Sequence, residues 1–582
     1  CYALPLPGTP YPPAAPFTGS APVKKAAPAA PYCVQLTGSG VFPENQKRTL
    51  DYLTLLDADR MLYNFRRAFG LDTKNALPPG GWEEPAGLLR GHSTGHFLSA
   101  LAFAYAATKE ETFRSKAEYM IHELFSMQQI CKGAPASFQT GCAPSHAPQS
   151  LWSREPEKWG KGFVSAYSPD QFALLEQFTP YATIWAPYYT LHKILAGLLD
   201  CYELLGMEDA LRCAGGIGDW VYERLCVLPE KQRAKMWKMY IAGEYGGMNE
   251  SLARLYRQTG QKRYLEAAQM FDNPGVFDGL IHGRDTISGI HANQHIPQII
   301  GALQEFEATS DPKYYVLARN FWELVTNHYM YSIGGVGRGE NFKEPDVLAG
   351  NIEGARNCET CATYNLLKLT GMLYRYAPDH GVYMDYYERA LVNHIAASQN
   401  PKILPGAHQR VTYMLPIGPG ARKEYGNDYE DFTCCHGTGM ENHVRYTEQI
   451  YHTGEDQSLY VNLFLSSRYD WAEKGLSVIQ ECDFPATQSR LIFHTKEKAD
   501  CRRLKLHIRI PYWCRDTFAL SLNGEALGRC GGKESYYTLE RDFADGDELL
   551  ISLPYALHLC YTGDCREGLP AASLMYGPLV MN

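Results

Sequence analysis

No run of apolar residues in this chain approaches the ~20 that a membrane-crossing helix needs, and no charged–apolar–small leader opens it. A basic cluster is missing too. The 55 Lys and Arg are outnumbered by 64 Asp and Glu, the formal net charge is −9 and the pI near 6.1. That balance gives no electrostatic reason to expect nucleic acid or an anionic membrane as partner. A repeat of fixed period is absent, which argues against a solenoid. The 17 cysteines are odd in number and scattered, without the framework of a small secreted scaffold. Reduced thiols in a cytoplasm are the simpler reading, although a chain that begins at Cys1 rather than Met is compatible with a removed leader.

What is present is long enough for two or three domains, with ample apolar content for their cores. Residues 1–40 read as an extended arm, because Pro and Ala dominate the first 32 and Pro cannot continue a helix. From there to about 405, apolar residues recur at three-to-four spacing. The pattern predicts helices over 49–68, 96–109, 113–129, 189–205, 210–225, 250–259, 262–271, 292–307, 314–328, 361–376 and 383–397. Many form pairs joined by short turns, and polar, Gly-rich stretches recur at one end of the pairs, as in Gly91–His96, Gly246–Glu250 and Gly289–His295. A helical series of this kind predicts a closed (α/α)6 barrel with its site in those loops.

From 406 to 582 the pattern changes to short alternating segments, at 410–415, 459–465, 476–480, 490–494, 504–509, 517–522, 536–539 and 548–553. Turns such as Asn523-Gly524 separate them, predicting a β-sandwich of jelly-roll type. Residues 575–580 read as a strand cut short, with more protein expected beyond.

Two thiol-rich segments stand out: Asn357-Cys358-Glu359-Thr360-Cys361 and Thr433-Cys434-Cys435-His436. Together they offer four sulfurs, a carboxylate and an imidazole, a ligand set suited to Zn²⁺. Cys434-Cys435 is expected on a Gly-rich loop returning to the barrel's site. Two buried thiols or a vicinal disulfide is the plainer alternative. Helical spacing of Cys358 and Cys361 favours a closed four-sulfur site. If the chain is still loop at Glu359, then Glu359 and Cys361 bind instead and one sulfur is free to react. Glu340, in the Gly-flanked loop Gly337–Phe342, is a candidate general acid, with Glu344 and Asp346 as competitors. His92 with His96, His291 with His295, and His192 are candidate ligands for a metal or for hydroxyl groups. The 40 Tyr and 9 Trp would suit a sugar, whose C–H faces stack on rings.

In order along the chain, Tyr189-Thr190-Leu191-His192-Lys193, Gly246-Gly247-Met248-Asn249-Glu250, His291-Ala292-Asn293, Glu359-Thr360-Cys361-Ala362-Thr363-Tyr364-Asn365 and Cys434-Cys435-His436-Gly437-Thr438-Gly439-Met440-Glu441-Asn442 resemble a known family. They resemble the β-L-arabinofuranosidases of glycoside hydrolase family 127 and its relative, family 146, the last two motifs being closer in wording to family 146. The resemblance runs from about Val34 to the end and implies an (α/α)6 barrel with β-sandwich domains. It also implies that Glu359, Cys361, Cys434 and Cys435 hold Zn²⁺ and that Cys434 is the nucleophile, with Cys358 a bystander. Glu340 becomes the acid/base by its place upstream of the Glu-x-Cys motif, and Tyr413 matches a tyrosine near the nucleophile. Sugar hydroxyls would be met by His192, Asn249, Glu250 and His291.

The implied activity is retaining, exo-acting release of terminal β-L-arabinofuranose from plant-derived glycans or glycoproteins. The alternatives are a non-catalytic carbohydrate-binding protein with a structural zinc, or a related glycosidase with another glycone. Carbohydrate is the expected partner, nucleic acid and membrane are not, and a homodimer is compatible with the sequence.

Overall fold

The computed structural model describes residues 21–135, 148–402, 410–497, 502–529 and 535–581; the Pro-rich residues 11–16 of the arm lie outside them. Six helices stand at the centre: α1 (His92–Thr108), α2 (Pro187–Leu205), α3 (Met248–Thr259), α4 (Ala292–Thr309), α5 (Thr360–Tyr374) and α6 (Cys434–Asn442). Each packs on the next, and α6 returns to α1 and closes the ring. An outer layer backs them, including Val41–Leu55, Ala58–Ala68, Glu111–Gln128, Glu208–Leu225, Lys262–Gln269, Pro312–His328 and Val382–Ala390. This is the (α/α)6 barrel.

The inner position of α1 follows from its sequence. Its 17 residues contain no Asp, Glu, Lys or Arg, and 15 of them are buried, as expected of a helix apolar on every side. α1 meets α2 through two glycines. A Cβ on Gly95 would lie 2.1 Å from the Lys193 carbonyl carbon, and one on Gly197 would lie 2.4 Å from the Gly95 carbonyl oxygen.

Three expectations about the barrel need correction. The helix predicted over 49–68 is two helices, interrupted where Asp57 turns extended and its side chain accepts the Asp59 N–H, capping the second. The strand predicted at 410–415 makes only isolated bridges, Val411 to Gln399, Thr412 to Tyr425 and Met414 to Glu359, because it crosses the end of the barrel where no sheet is available. The loop predicted for Cys434-Cys435 is the start of α6, the sixth inner helix.

Three sheets stand among the described residues: two larger ones, and a small one that pairs Leu557–Arg566, Leu569–Tyr576 and Leu579–Val580 in that order. The five-stranded one has the order Ala26–Pro28, Tyr451–Gly454, Leu459–Val461, Arg502–Arg509, Tyr536–Phe543. The seven-stranded one runs Glu525–Arg529, Ala519–Leu522, Glu548–Ser552, Gln488–Thr495, Leu476–Glu481, Ser467–Trp471, Val34–Leu36. The arm thus supplies an edge strand to each of the two larger sheets, pairing Ala26–Pro28 with Tyr451–Gly454 and Val34–Leu36 with Ser467–Trp471, both antiparallel. The apolar run at 575–580 is not one strand: it ends at Tyr576, turns at Gly577 (φ 56°) and starts again at Leu579–Val580.

Barrel and sandwich share one core, in which Phe42, Ile296 and Tyr446 belong to the same apolar cluster as Leu491 and Leu549. Fully buried Arg509 locks the two together, with Nη1 2.8 Å from Asp385 and Nη2 on Glu388. Among the described residues, no helix is long and apolar enough to cross a membrane.

Candidate active site and metal centre

The inner helices begin at the same end of the barrel, and the chemically active side chains gather there. The segment before α5 decides which of them meet. Cys358 takes a left-handed turn (φ 60°), Glu359 is extended as the α5 N-cap, and the helix starts at Thr360. Glu359 bridges to Met414: Thr360 N–H donates to Tyr413 O (3.0 Å) and Leu415 N–H to Cys358 O (2.9 Å). The left-handed turn at Cys358 and the extended, bridged backbone at Glu359 send the two side chains different ways. Cys358 therefore enters an apolar cluster with Tyr331, Ile333 and Leu415, while Glu359 faces the other thiols. The helical spacing that favoured four sulfurs does not apply, because Cys358 precedes the helix.

Glu359, Cys361, Cys434 and Cys435 each offer a ligand atom, all within 4.8 Å of one another and all buried. Cys434 Sγ lies 3.4 Å from Glu359 Oε1 and 3.8 Å from Cys435 Sγ. The latter is far too long for a disulfide, and matches the edge of about 3.8 Å in a tetrahedron with about 2.3 Å metal–sulfur bonds. Glu359 Oε2 has no hydrogen-bond partner. Burial, then the Cys434 and Glu340 charges, push the Glu359 carboxyl well up, and burial first of all raises the Cys434 and Cys435 thiols. Cys361 is raised by burial but brought down to about 7 by hydrogen bonds with Cys434 and Cys435. Four ionisable groups this close and this buried ionise together only beside a cation. The starts of α5 and α6 add positive dipole ends. These residues fit a metal.

A second group adjoins the first, with His291, Glu340 and Glu359 also within 4.8 Å of one another. Glu340 sits at φ 67°, and its carbonyl accepts the Ala292 N–H at the start of α4 (2.7 Å). That left-handed turn aims its carboxyl at Tyr413 Oη, which donates to Oε1, and at His291 Nε2, 3.4 Å from Oε2. His291 caps α4 by accepting the Gln294 N–H on Nδ1 (3.2 Å), so its neutral tautomer carries hydrogen on Nε2, toward Glu340. Burial pushes Glu340 up, but hydrogen bonds from His291 and Tyr413 and the His291 charge bring it below the usual carboxylate range. The competing carboxylates are engaged elsewhere: Asp346 pairs with His328 (2.9 Å), and Glu344 accepts from Asn351 (3.2 Å).

A family model described as beta-L-arabinofuranosidase, GH127 catalytic domain, matches residues 33–448. The chain belongs to the GH127 family. A model of the GH127 middle domain matches residues 458–555. The non-reducing end beta-L-arabinofuranosidase of Bifidobacterium longum subsp. longum is 22% identical over 436 residues, covering 67% of this chain. The match spans 64% of that curated relative's length. A solved structure described as a GH127 beta-arabinofuranosidase superimposes with a TM-score of 0.68 at 16% identity, covering 96% of this chain and 85% of the other. A GH127 beta-L-arabinofuranosidase from Geobacillus stearothermophilus T6 gives 0.67 at 17% identity, covering 94% and 86%. At these identities both show the fold, a helical barrel with β-sheets after it.

Within this GH127 chain the other predicted residues separate. His192 accepts the Gly247 N–H on Nδ1 (3.1 Å), and its buried Nε2 is without a hydrogen-bond partner. Asn249 is fully buried and donates to Gln298 O in α4 (3.0 Å), and Glu250 is held by Lys368 (2.9 Å). These bonds tie both residues to neighbouring helices, while Asn249 Oδ1 has no hydrogen-bond partner. The His92/His96 and His291/His295 pairs do not converge on a metal: His96 Nδ1 bonds Glu441 (2.5 Å) and His295 Nδ1 bonds the His291 carbonyl (2.7 Å).

Trp82, Trp185 and Glu244 were not singled out by the sequence reading. Trp82 and Trp185 pack on the cluster that contains Cys361, Cys434 and Cys435. The Gly80-Gly81 turn before Trp82 docks on the turn leading to Cys434, with Trp82 N–H donating to Asp431 O (2.9 Å). A Cβ on Gly81 would lie 2.0 Å from that oxygen, so a Gly pair preceding a rare Trp was the usable signal. Buried Glu244 is pushed up by burial, and its charge acts on His291 and Glu359; no local pattern marked it.

Proposed function

We propose that this chain is a zinc-dependent retaining exo-glycosidase releasing terminal β-L-arabinofuranose from plant-derived glycans or glycoproteins. The observation that carries the proposal is the meeting of the buried Glu359–Cys361–Cys434–Cys435 group with Glu340 in a GH127 chain. Three thiols and a carboxylate are a donor set suited to Zn²⁺. Bound there, the ion would supply the positive charge that ionises the thiols.

Cys434 is the sulfur to assign as nucleophile, because it keeps 5% exposure where Cys361 and Cys435 keep 1% and 0%. Its Sγ attacks the anomeric carbon while Glu340, in its acid form, gives a proton to the departing oxygen, leaving a glycosyl thioether. Glu340, now a carboxylate, takes a proton from water as the water oxygen attacks the same carbon and the C–S bond breaks. Two inversions retain configuration. His291, Tyr413 and His192 offer hydrogen-bonding groups to the glycone, whereas Asn249 and Glu250 hold the elements that carry them.

Replacing Cys434 with Ser is expected to abolish hydrolysis of an aryl β-L-arabinofuranoside without lowering Tm. Chelation should also abolish it, and mass spectrometry should find a sugar adduct on wild-type Cys434. Undiminished turnover by the variant would sink the proposal. Sugar binding without turnover, together with melting on chelation, would favour a carbohydrate-binding protein with a structural metal.

A further inference from the structure

A cavity of about 360 Å³ runs inside the ring, from His96 and His192 near the helix starts to Phe103 and Leu204 near the other end. Charged side chains line it, and a buried charge is tolerated only with a partner. Most have one: Lys368 pairs with Glu250 (2.9 Å), Arg254 with Asp200 (2.7 Å) and Arg445 with Glu448 (3.0 Å). Lys193 is the exception. It is buried, at 7% exposure, and among the described residues no carboxylate pairs with its ammonium. Burial pushes that ammonium below its ordinary value, against the pull of the Glu441 charge. Glu441 is itself already bonded to His96, Tyr364 and Arg445.

What Lys193 adjoins is the thiol group. Its ammonium stands over the ring of Tyr189, one turn earlier on α2, at 4.9 Å from the centroid, and Tyr189 packs in one cluster with Cys361, Cys434 and Cys435. Three thiolates and a carboxylate carry four negative charges, and a divalent ion cancels two. The loaded site is therefore left with net negative charge, which burial makes costly. His291 and Tyr413, which adjoin it, bond Glu340 instead. We propose that Lys193 is the counter-charge of the metal centre, a positioning residue whose ammonium, one ring away from the sulfurs, offsets the negative charge of the loaded site. The proposal rests on the reading of Glu359, Cys361, Cys434 and Cys435 as metal ligands. A ring face attracts the cation and keeps water out, and in a low-dielectric interior one charge acts on another across the width of a ring. Without metal the same ammonium is a buried charge with no partner, so Lys193 strengthens metal binding at the expense of the metal-free fold.

The test measures Zn²⁺ affinity, by competition with a chromophoric chelator, and the Tm of the metal-free protein in the wild type, Lys193→Met and Lys193→Arg. Met keeps the length of the side chain and loses its charge. The Met variant should bind Zn²⁺ about tenfold more weakly, the scale of a lost partner behind the metal ligands, while its metal-free Tm holds or rises because an unpaired buried charge is gone. Arg, which keeps the charge, should retain wild-type affinity. Equal Zn²⁺ affinity in the wild type and the Met variant overturns the proposal. So does a weaker affinity accompanied by a lower metal-free Tm, because a side chain that merely fills space would give both. A wild-type protein that takes up no Zn²⁺ overturns the reading of the four ligands itself, and the counter-charge falls with it.

Discussion

One residue step separates a thiol of the apolar core from a candidate metal ligand here. Cys358 and Glu359 are adjacent, and the bridge between Glu359 and Met414 sends the first into the apolar core and the second to the thiols. Cys358→Ala is therefore expected to keep the metal content of the wild type, measured by elemental analysis, and to cost about 1 kcal/mol by removing a buried sulfur. Glu359→Ala should lose metal; the opposite pattern would restore the four-sulfur site. Against the push of burial, His291 and, after it, Tyr413 lower the pKa of Glu340. The Tyr413 hydroxyl helps to hold the carboxyl down, so Tyr413→Phe raises the Glu340 pKa. The first step needs Glu340 protonated, so the alkaline limb of the kcat/KM–pH profile moves to higher pH in that variant. A shift to lower pH would contradict the role given to Glu340.

Among elements, the contact of α1 with α2 constrains the site, since His92 and His192 lie near the starts of those helices. Gly95→Ala would place a methyl against the Lys193 backbone, which has no flexible end to move away. Overpacked cores lose about 1–3 kcal/mol, and a backbone clash belongs at the upper end. The expected result is a lower Tm in a thermal melt, with activity falling in step if the helices separate. The helices themselves were legible in sequence because their apolar period is local. The break at Asp57 was missed, as was the identity of Cys434–Asn442 as a helix, because a Cys-Cys-His-Gly-Thr-Gly segment has little helical preference and is ordered by packing between α1 and α5.

At the scale of the molecule the arm ties the barrel to the two larger sheets. Its two short strands cover one edge of each of the two larger sheets, and Lys24 pairs with Glu307 of the barrel (3.0 Å). Deleting residues 1–36 should uncover both edges, lower Tm and produce self-association on size-exclusion chromatography. An unchanged melt and elution would show that the arm is dispensable. The sequence marked the arm as extended, yet nothing local showed that it pairs with strands more than 400 residues later.

By itself the sequence determined the helical and sheet-forming halves and the residue types of the site. Periodicity and the spelling of a motif are properties of neighbouring residues, so they can be read in one dimension. The tertiary structure decided how those residues face. Glu359 rather than Cys358 points at the thiols because of a bridge to residue 414, Trp82 covers them because Gly81 docks on Asp431, and Glu340 is poised by a turn locked to α4. Each of these depends on a contact between distant parts of the chain, and such contacts exist only once the ring has closed.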